Sequence, residues 1–532
     1  MSFSISKIIN SIKYLGIKKT YYKGINKFYV NNINKIYYQK NKNISLNHEN
    51  KFENIKFSIV VPIYNTEERF LREMIESVLN QTYKNIELCI ADGGNQIDNQ
   101  KIILKYQEKD NRIKYNKIGF NGGIAFNTNK AIEICSGDYV VFIDHDDFID
   151  ENSMACISNC IEAEKCDVLY TDEDKVDEES KIFFEPHIKP DWSPRLLKSY
   201  NYICHMFVVK KELIDVHGLI LDGYDGSQDY EFILRMCKNA NKIVHLPIVL
   251  YHWRVNKNST AGDIFKKKYA IDKGKKVLED FMKIEKVDCK VISSDYIGAN
   301  EIIFDFNYNN IITIILYGEK ITIKELEVKY EYMKYALNID SFDMYFYNYK
   351  EETIMNLKGN VLDTNIFNNN WLINKYVLVV HKDVKFLSEN ILSTFLGEVN
   401  MDDTAIVFPK ILKDKKTVRS FGLSIKNKKL HRIYEDFNKN IPGYMGRLNL
   451  TNNILFAEPV VFFTKKDIFL ENIKFSFVNE QNWIDLLIEL FYSKKYCCIT
   501  HNVEVVTDLN LNWENVYLKN LQEPYFQIME YS

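Results

Sequence analysis

Val140-Val141-Phe142-Ile143-Asp144-His145-Asp146-Asp147 is the stretch on which the reading of this chain turns. Four apolar residues predict a buried strand, and three carboxylates follow within four positions at its C-terminal end. Carboxylates that close repel one another, and leaving them unpaired beside a buried strand is costly. A divalent cation is the usual remedy, because Mg²⁺ and Mn²⁺ favour carboxylate oxygens. The alternative is an acidic turn whose Asp side chains cap a helix starting near Glu151.

Outward from this stretch the pattern is regular. Residues 57–63 predict a strand, and 67–81 an amphipathic helix with Leu71, Met74, Ile75, Val78 and Leu79 inward. A second strand at 86–91 runs into Asp92-Gly93-Gly94, and a helix at 97–108 and a short strand at 113–116 follow. Gly122-Gly123 then open a helix at 124–135, and 139–143 is the fourth strand. This alternation indicates a doubly wound, mostly parallel α/β sheet, in which ligands bind at the carboxyl ends of the strands. Residues 62–65, 92–94 and 144–147 all fall at such ends.

Val61-Pro-Ile-Tyr-Asn65, Asp92-Gly-Gly94, Asn121-Gly-Gly-Ile-Ala-Phe-Asn127, Asp144-His-Asp-Asp147 and Gln228-Asp229 together resemble the family 2 glycosyltransferases of GT-A fold. The similarity runs in order from about residue 57 to 262. Tyr170-Thr-Asp-Glu-Asp-Lys175, Lys189-Pro-Asp-Trp-Ser-Pro194, Gly226-Ser-Gln-Asp-Tyr-Glu231 and Leu250-Tyr-His-Trp-Arg254 are more narrowly similar to bacterial surface-polysaccharide members. The resemblance implies a GT-A catalytic domain at 52–295, a nucleoside diphosphate sugar donor (UDP- or dTDP-linked), and Mn²⁺ or Mg²⁺ as cofactor.

On that resemblance, Pro62, Tyr64 and Asn65 shape the loop over base and ribose, and Asp92 accepts a hydrogen bond from a pyrimidine imide N–H. An ordinary turn is the competing reading of Asp92-Gly-Gly. Gly122 and Gly123 let the backbone approach a phosphate at a helix N-terminus. Asp146 is implied as the ligand of a cation bridging the diphosphate, with Asp144 reaching the ribose or, through water, the metal. Asp147 is read as a supporting residue. His252 would approach the metal or diphosphate and Arg254 a phosphate, unless both are structural. Family members place the acceptor's base in a Glu-Asp pair at a helix start. Here the pair is Gln228-Asp229, which leaves Asp229 as the base and Glu231 in reserve. Asp172, Glu173, Asp174 and Lys175 are expected along the donor or acceptor cleft, and Trp192 to stack on a sugar or fill a core. No Ser/His/Asp or Cys/His nucleophile pattern is evident, which favours single displacement with inversion.

The rest of the chain sets bounds. At 532 residues two or three domains are expected, and the net charge of −3 argues against a nucleic-acid partner. Ten cysteines lie without ligand spacing and no signal peptide is evident, so reduced thiols in a cytoplasmic protein are expected. No apolar run reaches the roughly 18–20 residues of a membrane span. Residues 1–51 carry ten lysines against Glu49 alone, with Ile5, Ile8, Ile9, Ile12 and Leu15 on one helical face. That basic amphipathic segment either touches an anionic membrane peripherally or packs on the next domain.

In 296–532, residues 311–317 and 377–380 echo the first and fourth strands, suggesting a degenerate GT-A-like repeat. Aligned on them, His381 stands for Asp144, Asp383 for Asp146, Trp483 for Asp229 and Asp485 for Glu231. A Trp cannot accept a proton, so this half is expected to hold the acceptor, mediate assembly or brace the first domain. The expected function is metal-dependent, inverting sugar transfer to a hydroxyl of a lipid-linked surface glycan. Transfer to a protein such as flagellin, or glycan binding by a non-catalytic scaffold, is the alternative.

Overall fold

The computed structural model describes residues 5–41, 54–256, 264–304, 311–362, 374–509, 511–518, 521 and 524–527; side chains in the helices Ile5–Asn41 and Ile264–Ile284 are described over 21–40 and from Tyr269 onward. The apolar face of Ile5, Ile8, Ile9, Ile12 and Leu15 therefore lies outside the described side chains.

The first sheet is built from β1 (Phe57–Ile63), β2 (Ile86–Asp92), β3 (Ile113–Lys117), β4 (Tyr139–Phe142), β5 (Phe148–Ile149), β6 (Val168–Asp177), β7 (Phe183–His187), β8 (Phe207–Lys210) and β9 (Ile243–Val255). Their order is β3-β2-β1-β4-β8-β6-β9-β5, with β7 on β6. β1 to β4 run parallel, β8 runs against β4 and β6, and β6 and β9 run parallel to each other. Helices cover both faces, so β1 and β2 read as nearly unbroken apolar runs. Ser58, Glu87 and Asp92 are the polar exceptions. The buried carboxylate of Glu87 is matched by Lys56 at 2.6 Å and Lys114 at 2.9 Å. The helix Glu68–Leu79 buries Leu71, Met74, Ile75 and Val78 completely, each contributing about 1.5–3 kcal/mol.

The chain lays down β1, β2 and β3 to one side, then returns to place β4 on the other side of β1. That reversal opens a crevice outside the carboxyl ends of β1 and β4, where doubly wound sheets bind ligands. Residues 62–65 and 144–147 flank it.

The second sheet repeats this plan. Thr353–Asn356, Asp343–Asn348, Ile312–Gly318, Tyr376–His381, Val461–Lys465, Thr404–Leu412, Tyr496–Val506 and Lys385–Phe386 lie side by side in that order. Matched against β3-β2-β1-β4-β8-β6-β9-β5, every neighbouring pair keeps its direction except the first, which is antiparallel where β3 and β2 are parallel. Between the two sheets the chain forms a two-stranded antiparallel hairpin, Cys289–Ser293 with Asn300–Phe304.

Buried polar contacts join the halves. Arg195 pairs with Glu398 at 2.5 and 2.8 Å, Asn453 Oδ1 accepts from Ser193 Oγ and the Arg195 backbone N–H, and Tyr444 Oη donates to the Pro186 carbonyl. The first helix, Ile5–Asn41, lies across both: Ile33 packs with Ile188 and Tyr444, Tyr29 with Tyr434 and Phe437, and Tyr38 Oη donates to Asp174. Among the described residues no helix is long and apolar enough to cross a membrane.

Candidate active site

β4 ends at Phe142, and the next turn carries the three aspartates. They divide by exposure. The side chains of Asp144 and Asp146 are 43% and 25% exposed, whereas Asp147 is fully buried. Asp147 accepts from Tyr251 Oη at 2.5 Å and from the Arg254 backbone N–H at 2.7 Å, anchoring the turn to β9. Burial, then the charges of Asp146 and Asp144, push its pKa well up. None of the three caps the following helix, which begins only at Ser153 after an N-cap Asn152.

Arg254 lies within β9, and its guanidinium is fully buried. Nη2 meets Glu73 at 2.6 Å, Nη1 meets Ser180, and Nε donates to the Asp146 carbonyl at 2.7 Å. It therefore braces the aspartate turn from behind. His252, also in β9, gives its Nδ1 to Asp174 at 2.7 Å and packs its ring between Phe148 and Phe183.

Asp144, His205 and Asp229 converge on one cavity of about 70 Å³, walled by Val60, Pro62, Phe142 and Phe232. Asp144 Oδ2 lies 3.5 Å from His205 Nε2. Asp229 is the second residue of the helix Gln228–Asn239 and accepts from Asn201 Nδ2 at 2.9 Å. Burial raises its pKa, His205 opposes, and the charge of Asp144 adds to the rise. Glu231 turns away from the cavity and forms a two-pronged pair with Arg235.

Along the rim, Tyr64 is exposed and Asn65 sits in the left-handed region at φ 50°. Asp92 is buried, with both oxygens engaged: Oδ1 accepts from the Gly94 backbone N–H, Oδ2 from Tyr115 Oη and Lys117 Nζ. A Cβ on Gly122 would come within 2.3 Å of Phe126, and Gly123 has φ 92°, so both positions need glycine.

Asp172, Glu173, Asp174 and Lys175 form part of β6. Alternation along the strand gives each its own partner. Asp172 faces His245 at 2.9 Å, Asp174 faces His252, and Lys175 pairs with Glu185 at 2.8 Å. Burial alone would raise Glu173, but Lys189 and His187 outweigh it and hold its pKa at about 2. Trp192 is elsewhere. It lines a separate cleft of about 680 Å³ between the halves, with Lys198, Asp402 and Tyr496.

The family profile described as "Glycosyl transferase family 2" matches residues 58–217. An uncharacterized protein of Sinorhizobium fredii, y4gI, is 36% identical over 229 residues, 42% of this chain and 25% of that protein. The O-antigen biosynthesis protein RfbC of Myxococcus xanthus is 32% identical over 207 residues, 38% of this chain and 16% of that protein. An uncharacterized glycosyltransferase of Methanocaldococcus jannaschii, MJ1057, is 31% identical over 219 residues, 40% of this chain and 75% of that protein. The chain belongs to the family 2 glycosyltransferases. It spans a quarter or less of the length of y4gI and RfbC.

In this glycosyltransferase the family profile ends at residue 217, before the helix that carries Asp229. His205 is the cavity residue that sequence reasoning missed. It lies just before β8, the strand that runs against its neighbours, and only that reversal brings residue 205 to the rim where β4 ends. A lone His between Cys204 and Met206 carries no spacing signal. Asn201, which holds Asp229, was hidden for the same reason.

Proposed function

We propose that this glycosyltransferase moves a sugar from a nucleoside diphosphate sugar to an acceptor hydroxyl by single displacement, with inversion, at the cavity of Asp144, His205 and Asp229. The observation that carries the proposal is the convergence of Asp229, a carboxylate of raised pKa at a helix start, with the exposed Asp144 at the end of β4. Asp229 takes the proton of the attacking hydroxyl, Asn201 holds the carboxylate in place, and burial makes it a better base than a solvated Asp. Tyr64, Pro62 and Asn65 cover base and ribose, Asp92 stiffens the loop beneath them, and the Gly122-Gly123 helix start receives phosphate.

The aspartate turn fits a hard cation. Among the described residues neither Asp144 nor Asp146 is paired with Lys or Arg, Asp147 is engaged by Tyr251 and the Arg254 backbone, and no group of three ligand side chains is assembled. Asp146 and Asp144 would hold Mn²⁺ or Mg²⁺, which supplies charge neutralisation for the departing nucleoside diphosphate. His252, committed to Asp174, is left out of this set. Arg254 acts on Asp146 through the backbone and not on phosphate. The name of RfbC supports a surface glycan as acceptor. The ten lysines of residues 1–51 favour a lipid-linked one, met at the inner face of the membrane.

Hydrolysis of UDP-, dTDP- and GDP-sugars, followed with Mn²⁺ and with EDTA, tests the proposal. One donor should turn over slowly with Mn²⁺, and Asp146→Ala should slow it at least about a hundredfold, some 2.7 kcal/mol. Neither turnover nor metal-dependent binding of any donor would overturn it.

A further inference from the structure

The second half keeps a cavity where the first half has its candidate site. In the first sheet Val60 lies opposite Phe142, and Phe142 opposite Phe207. In the second, Ile315 lies opposite Val379, and Val379 opposite Phe462. With Lys465-Lys466 matched to Lys210-Lys211, these registers make Tyr317 the counterpart of Pro62, His381 of Asp144, and Pro459 of Cys204, and all six line the two cavities. A cavity of about 160 Å³ opens at that place, lined by Tyr317, His381, Pro459, Phe477, Glu480 and Trp513. Glu480 begins the helix Glu480–Tyr492, as Gln228 begins the helix of Asp229. The expected stand-in for the base, Trp483, lies in the core and donates Nε1 to the Ala457 carbonyl.

The lining chemistry has changed from carboxylates to aromatic rings. Three of the six named residues offer aromatic side chains, while His381 and Glu480 supply the polar groups. Aromatic walls with a few fixed polar groups suit the C–H face and hydroxyls of a sugar ring. None of the residues lining the cavity is Lys or Arg, and the Glu480 carboxylate repels phosphate, so a nucleotide is the wrong occupant. We infer that this cavity binds one neutral saccharide unit without transferring it, holding an acceptor glycan for the first half. The inference rests on the sugar-transfer reading of that half.

Saturation-transfer NMR on the full chain, with the methyl glycosides of glucose, N-acetylglucosamine and rhamnose as probes, tests it. At least one glycoside should receive saturation. Trp513→Ala should reduce that signal at least fivefold, and Asp146→Ala should leave it unchanged. Tyr349→Ala, at the half-buried edge of the same cavity, provides a second variant that removes no fully buried side chain and should reduce the signal likewise. Donor hydrolysis should be unchanged in both cavity variants. Absence of signal with all three glycosides, or a signal that survives both cavity variants or vanishes in Asp146→Ala, overturns the inference. Wild-type protein that binds glycosides but turns over no donor would instead count against the first-half reading.

Discussion

Asp229→Asn should lower sugar transfer by about 10²–10⁴-fold, the usual contribution of a positioned base, while donor affinity stays as in the wild type. The substitution keeps the shape of the side chain and the contact with Asn201, and removes only the ability to take a proton. The pH profile supplies an independent readout. Burial and Asp144 raise the pKa of Asp229 against the opposition of His205. A base works deprotonated, so the wild-type rate should fall as pH drops through that raised value, above the region near 4 where an ordinary Asp titrates. The acid limb should vanish in Asp229→Asn. Stability moves the other way. An acid with a raised folded-state pKa binds its proton more tightly when folded, so its charged form costs stability at neutral pH, and the cost fades on acidification. The Asn variant should therefore melt no lower than wild type at pH 7. Kinetics against pH, donor titration calorimetry and a melting curve check the three statements. Full transfer activity in the variant would dismiss Asp229 as the base.

The parts legible in the sequence are those where local pattern and tertiary demand agree. β1, β2 and β4 are apolar runs because they are buried on both faces, and their ends fall within a residue or two of expectation. The helix expected at 124–135 stops at Ile132. Beyond the fourth strand, pairing depends on partners far away in the chain. Residues 172–175 carry four adjacent charges, yet they are strand, each charge matched by a partner on β7, β9 or the segment between β7 and β8. Hydrophobic alternation cannot reveal a strand stabilised in that way. Nor does it reveal that His252 and Arg254 fall inside a thirteen-residue strand, Ile243–Val255. For Arg254 the resemblance offers a phosphate contact or a structural role, and the structure shows the structural one. What fixes its direction is Glu73, nearly two hundred residues upstream. Trp192 packs against the first half's core and lines the cleft between the halves, a place that depends on residues such as Asp402 and Tyr496 far along the chain.

The join between the halves should be the place where one substitution costs the most stability. Arg195, on the short helix Pro194–Leu197, and Glu398, on the helix Ile391–Val399, are 3% and 1% exposed and meet through two hydrogen bonds. A buried pair of this kind gains little over an apolar pair of equal volume, because desolvation offsets the attraction. Removing one partner is different, since it strands the other charge without water. Arg195→Ala and Glu398→Ala should each cost about 3–5 kcal/mol. Arg195→Met combined with Glu398→Leu should lie near wild type, because neither charge is left behind. Two cores separated by such an interface need not unfold together, so the cost is read on the first transition of urea unfolding, with proteolysis locating the half that opens. The Asn453 contacts to Ser193 and the Arg195 backbone survive every one of these variants, so the change reports the ion pair itself. Single variants within about 1 kcal/mol of wild type would mean that water reaches the pair, and the two halves would then be held by their apolar contacts and the tyrosine and asparagine bonds alone.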